Sequence, residues 1–228
     1  MTVTRFGGVA LIAGVVVLVA ASMLHPMEAD PNDSAAAFAE YAADRLWIST
    51  HLIQLGGAFM MTAGLIAFSW KLRTGRAAPW ALVAGTAALT SLAAAAALQA
   101  VDGVALKALV DRWHTAPLEA RAPIFEAAFA VRQIEIGLAS VATIFFGVGV
   151  VLYGVAILFD VYAPNWVGVF GAMSGSITLA SGIGLAHAGF SSTAMGVNMW
   201  STLLALLWCL CVAVVLFRDS TGATPSNL

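Results

Sequence analysis

Four side chains able to move protons or hold a ligand stand in stretches that are otherwise apolar: His51, Asp102, Glu135 and His187. A histidine exchanges protons near neutral pH. A carboxylate in apolar surroundings can act as its partner in acid–base catalysis. Isomerases and cyclases of apolar substrates need little more than such groups and a shaped cavity. Gln54, Gln99, Arg132 and Asn198 stand beside them as groups that could orient a ligand. Gln99 and Asp102 are three apart, as are Arg132 and Glu135, and Asn198 and Ser201, so each pair shares a helix face. The Arg132–Glu135 spacing also fits a local ion pair.

Two other chemistries use the same residues. His51 and His187, with Glu135 or Asp102, offer nitrogen and oxygen ligands suited to zinc or copper. No HxxxH or HExxH spacing supports that set, and each ligand would come from a different helix. His51 and His187 could also serve as axial ligands of one b-type haem; no second pair exists for a two-haem relay. The cofactor is open on these grounds. Cys209 and Cys211 are two apart, point to different helix faces and cannot pair with each other.

Composition decides what positions these groups. Of 228 residues, 61% are hydrophobic and 10% charged, with mean hydropathy +0.93. A soluble domain has about 25% charged residues. The solvent of this chain is largely lipid, and it reads as one integral membrane domain over residues 1–228. Six segments suffice to cross hydrocarbon, which takes about 20 helical residues: 6–24, 47–70, 79–100, 133–159, 166–187 and 197–217. Each must be helical, because a bilayer offers backbone amides no partner. The first is read as an uncleaved span, since it exceeds the 7–15 residues usual for a signal core.

The bases Arg5, Lys71, Arg73, Arg76 and Arg218 fall on one side, against Asp160 and Asp219; ten acids and five bases fall on the other. The short connection KLRTGR decides the orientation, with both termini cytoplasmic. A bacterial cytoplasmic membrane is the expected location. Trp70, Trp80 and Trp166 mark the inner boundary, and Trp47, Trp113 and Trp200 the outer one. Trp208 alone falls mid-span.

The outer connections are long. Asn32, Asp33 or Ser34 could cap a short helix running to Asp44. Val104, Leu106, Leu109 and Val110 fit an interfacial amphipathic helix ended at Pro117. Plain loop packing is the simpler alternative for both. Gly171 and Gly175 stand at GxxxG spacing, and Gly147, Gly149 and Gly154 punctuate span four. Such faces favour close helix packing and offer contacts for a homo-oligomer.

FFGVGVVLYGVAIL (Phe145–Leu158), followed by YAPNWVGVFGAM (Tyr162–Met173), resembles a family of small bacterial six-helix membrane proteins of unknown function. The shared features are a phenylalanine-glycine helix and a proline-led turn. The resemblance implies a fold and no activity.

Depth then gathers the polar groups. His51 precedes Trp70 by 19 residues, roughly 28 Å of helix, and so lies near the outer boundary. Gln99 and Asp102, Arg132 and Glu135, His187, Asn198 and His25 fall at the same level, while the inner halves of the spans hold few polar groups. The expected fold is an all-α, six-span bundle with partly helical outer connections. The expected function is binding of a small or lipid-like ligand in an outward-facing polar pocket, extending to acid–base chemistry on an apolar substrate. The alternative is a non-enzymatic accessory, sensory or transport-associated membrane protein. Mid-membrane Thr, Ser, Gly and Ala form no charged relay, which disfavours proton-coupled transport. The expected partners are membrane lipid and a small ligand; no basic patch points to nucleic acid.

Overall fold

The computed structural model describes residues 1–26 and 28–220, and the described residues form helices and connections without a strand. The α-helices are α1 (Val3–Ser22), α2 (Ser34–Ala43), α3 (Trp47–Lys71), α4 (Ala78–Ala100), α5 (Lys107–Thr115), α6 (Leu118–Leu158), α7 (Asn165–Ala188) and α8 (Ser192–Ser220). A 3₁₀ turn (Gly75–Ala77) leads into α4, and a π-helical turn (Val101–Leu106) joins α4 to α5. Six helices are long and apolar enough to cross a membrane, α4, the π turn and α5 counting as one. The chain is an all-α membrane bundle of six spans.

Packing follows chain order and then closes into a ring. α1 lies on α3, α3 on α4, α4 on α6, α6 on α7, α7 on α8, and α8 returns to α1. Leu11, Leu65, Phe68, Tyr153, Trp208 and Leu216 fill the interior. Phe59, Leu82, Val83 and Met173 face outward, an arrangement that suits hydrocarbon and not water. Glycine permits the closest contact: a Cβ on Gly147 would lie 2.5 Å from the Leu179 amide nitrogen, and one on Gly175 2.5 Å from that of Val151. The backbones of α6 and α7 therefore meet directly. Trp208 is fully buried mid-bundle, and its indole N–H donates to the Val167 carbonyl at 3.0 Å. Tyr153 donates to the Leu65 carbonyl at 2.8 Å and meets Ser69 at 2.7 Å. The inner half is thus less bare of polar contacts than its sequence suggests.

Two spans overrun the membrane. Gly75–Thr115 and α6 are each 41 residues long, about 61 Å of helix against a hydrocarbon core of about 30 Å. Span three was expected to end at Ala100 and span four to begin at 133. Nothing in VDGVAL breaks a helix, so the first continues through the π turn. The second starts just after Pro117, and Pro123 is tolerated within its first two turns, near the end where helical amides lack partners anyway.

The overhanging helices meet α2 and form a cap with its own core of Ala37, Phe38, Tyr41, Trp47, Leu106, Val110 and Ala128. Asp33 caps α2, accepting from the amides of Ala35 and Ala36, and Asp44 closes its far end. Trp47 and Trp113 therefore pack within the cap and do not form an outer belt: Trp47 is buried, and Trp113 packs edge-on to Phe38.

Candidate functional site

The cap sits on the end of the bundle opposite the Gly75–Ala77 turn, and a polar cluster occupies the seam. α3 brings His51 there, one turn after Trp47. The π turn brings Asp102. A π turn takes more residues per turn than an α-helix and re-aims the side chains that follow; here it packs against α3, α4 and α6. Gly103 makes the approach to α3 feasible, since a Cβ at that position would lie 2.7 Å from the His51 Cβ. The Trp47 indole N–H donates to the Asp102 carbonyl at 3.1 Å and fixes the turn to α3.

His51 is buried with both ring nitrogens engaged. Nδ1 lies 2.7 Å from the Trp47 carbonyl and Nε2 lies 2.9 Å from Asp102 Oδ2. A carbonyl only accepts, so Nδ1 carries a hydrogen. The Nε2–Oδ2 contact then needs one further proton, held by the imidazole or by the carboxyl. His51 and Asp102 together hold a proton that another cation could replace.

His25, on the connection after α1, completes the group. Its ring stands 5.1 Å from that of His51 and 4.8 Å from that of Trp47, centroid to centroid. Its Nδ1 lies 2.8 Å from the Pro26 carbonyl, which leaves Nε2 with a lone pair. Burial holds the His25 pKa below its ordinary value, against the pull of the Pro26 carbonyl; His51 adds to the lowering, while Asp102 and Asp44 oppose it. One ligand atom from each of His25, His51 and Asp102 lies within 4.8 Å of the others.

The surroundings are rich in acceptors. Asp44 Oδ2, Gln99 Oε1, Asp102 Oδ1 and Glu135 Oε2 are all buried with no hydrogen-bond partner. Asp44 lies within electrostatic reach of both histidines, and Glu135 within reach of Asp102. An unpartnered buried acceptor costs about 1–3 kcal/mol.

The buried cations are committed elsewhere. Arg132 does not pair with Glu135. It reaches into the cap, donating to the Tyr41 hydroxyl at 2.9 Å and the Pro31 carbonyl at 2.8 Å, with Phe38 and Phe190 flanking the guanidinium. Lys107 donates to the Tyr41 and Ala42 carbonyls at the end of α2 and to Asp111. Both clamp the cap to the overhanging helices.

The remaining expected residues divide. Gln99 donates to Gln54 at 3.4 Å, and Gln54 to Ser22 at 3.4 Å, which links α4, α3 and α1 in the same layer. His187 is exposed on α7, and none of its contacts reaches this cluster. Asn198 accepts from Ser181 at 3.2 Å, between α7 and α8. The metal and haem readings that used His187 lose their second histidine, and His25 takes its place beside His51. His25 was legible in depth but stood outside the candidate set, and Asp44 read only as the end of the short helix. Among the grooves in the bundle surface, one of about 520 Å³ lies beside Ile66, Ser69 and Leu82, and another of about 220 Å³ beside Ser181, Gly184 and Ser191. Neither is lined by His51, Asp102 or Glu135.

No family model, no curated protein and no solved structure matches this chain.

Proposed function

We propose that this protein, in a bacterial cytoplasmic membrane with both termini inside, binds a small cationic ligand in the polar layer beneath its outer cap. The observation that carries the reading is the set of buried acceptors without donors: Asp44 Oδ2, Gln99 Oε1, Asp102 Oδ1 and Glu135 Oε2. A ligand without donors, or an anionic one, would leave them unsatisfied; a cation or a donor-rich group satisfies them, and the carboxylates among them favour the cation. The close packing under α2 favours a small ligand over one with a lipid chain. The proton held between His51 and Asp102 equips the same layer for acid–base chemistry on whatever binds.

A second reading is favoured by Lys107 and Arg132, whose donors hold cap backbone and a cap hydroxyl. In that reading the layer only fastens the cap, and the protein is an accessory subunit without chemistry.

Melting of the full chain in phosphatidylglycerol nanodiscs separates the two, with ethylammonium, Mg²⁺ and Zn²⁺ as probes. The ligand reading expects at least one cation to raise the melting temperature saturably. The gain is about 2.7 kcal/mol at a hundredfold excess over Kd. Asp102→Asn and Glu135→Gln abolish the rise and His187→Ala keeps it. The fastening reading expects no probe to act.

A further inference from the structure

We propose that His25, His51 and Asp102 form a binding site for one divalent transition metal ion of the zinc class. The inference rests on the reading of the layer as a cation site and names the cation.

The donor set argues first. Two imidazoles and a carboxylate suit zinc and its neighbours, whereas magnesium and calcium take oxygen ligands almost exclusively. The second-shell contacts argue next. Histidines that bind metal through one nitrogen characteristically donate the other N–H to a carbonyl or carboxylate, which fixes tautomer and ring orientation. Both histidines have this contact already: Nδ1 of His25 on the Pro26 carbonyl at 2.8 Å, and Nδ1 of His51 on the Trp47 carbonyl at 2.7 Å. Nε2 of His25 is left for a ligand, and Nε2 of His51 faces Asp102 Oδ2 at 2.9 Å across the one proton a metal ion would displace. One ligand atom from each of the three residues lies within 4.8 Å of the others. A tetrahedral zinc site with bonds of about 2.0–2.1 Å needs them about 3.4 Å apart. Closing that gap falls to His25, which sits on a connection and not within a helix. A metal ion replaces the proton that His51 and Asp102 share, so the site exchanges one cation for another: the ion enters and a proton leaves. Three protein ligands leave a fourth position open, with Asp44 and Glu135 nearby to receive the donors of whatever fills it.

The experiment is a titration of chelator-treated full chain in detergent with Zn²⁺, followed by calorimetry, and with Co²⁺, followed by its visible spectrum. The expected result is one equivalent bound. Loss of outer-shell contacts alone costs about 10–100-fold, so His25→Ala and His51→Ala each weaken binding by about a hundredfold or more. His187→Ala leaves it unchanged. The conservative His25→Gln gives the same loss with the fold retained, as judged by an unchanged melting temperature without metal. Absence of stoichiometric binding, or binding that survives His25→Gln, overturns the inference. If ethylammonium still raises the melting temperature while zinc does not bind, the cation site stands without the metal; if neither acts, both fall.

Discussion

At the scale of single residues, the account turns on how closely α3 and the π turn approach. Gly103 has no side chain because His51 occupies the space one would need, and the obstructing atom is Cβ, the root of that side chain, not a flexible end. Gly103→Ala must push the π turn off α3. The expected cost is about 1–3 kcal/mol, as for other overpacked sites, and the Trp47–Asp102 hydrogen bond weakens with it. Zinc affinity falls in the same variant although no ligand atom has changed. Melting and calorimetry on one preparation check both; a Gly103→Ala protein with wild-type affinity would show that the His51–Asp102 contact does not depend on this approach. The chemistry of His51 and Asp102 could be named from sequence, because histidine and aspartate in an apolar helix announce themselves. Their pairing could not. Gln99 and Asp102 share a face of an ideal α-helix, but a π turn beginning at Val101 changes the register after Ala100, and no residue type in VDGVAL encodes it.

At the scale of elements, the cap is the part of the fold that hydropathy conceals. Spans read from hydropathy end where charges begin, yet α6 and the α4–α5 rod are each about twice the length that a hydrocarbon core needs. In sequence Lys107 falls on an amphipathic interfacial helix, and Arg132 stands as a ligand-orienting group or the partner of Glu135. They are buried because the carbonyls at the end of α2, the Pro31 carbonyl and the Tyr41 hydroxyl take up their donors. The cap of α2 was legible only as one of Asn32, Asp33 and Ser34, beside the simpler reading of the segment as plain loop; the structure assigns it to Asp33. Tyr41 supplies the test at this scale. Burial raises its phenol to about 12, only partly offset by Arg132, while the unfolded chain ionises near 10. The stability this contributes is fully present below pH 10. It is lost as pH rises from 10 to 12, where the unfolded state releases a proton that the folded state keeps. The loss amounts to about 2–3 kcal/mol. Melting curves across that range should show the decline in the wild type and a shallower one in Tyr41→Phe, whose starting stability is lower because Arg132 Nη1 loses its acceptor. Equal slopes would mean that the cap leaves Tyr41 in water.

At the scale of the whole molecule, six spans form a ring closed in chain order, with lipid-facing residues outside and an interior sealed by glycine contacts. The six helical spans were legible from hydropathy, since a bilayer permits few alternatives to helices of this length. The grouping around the ring was not. Depth alone placed His187 and Asn198 with His51, but depth does not give azimuth: α7 packs on α6 and α8, α8 chiefly on α7 and α1, and Asn198 meets Ser181 of α7. The cluster belongs instead to the sector where the connection after α1 meets α3, the π turn and α6, directly beneath the cap. The most direct measurement of this arrangement is zinc K-edge X-ray absorption on the full chain loaded with one equivalent of Zn²⁺. The account predicts two imidazole nitrogens and carboxylate oxygen in the first shell, with one imidazole lost in His25→Gln and none in His187→Ala. A shell without imidazole, or one that loses an imidazole in His187→Ala, would contradict it.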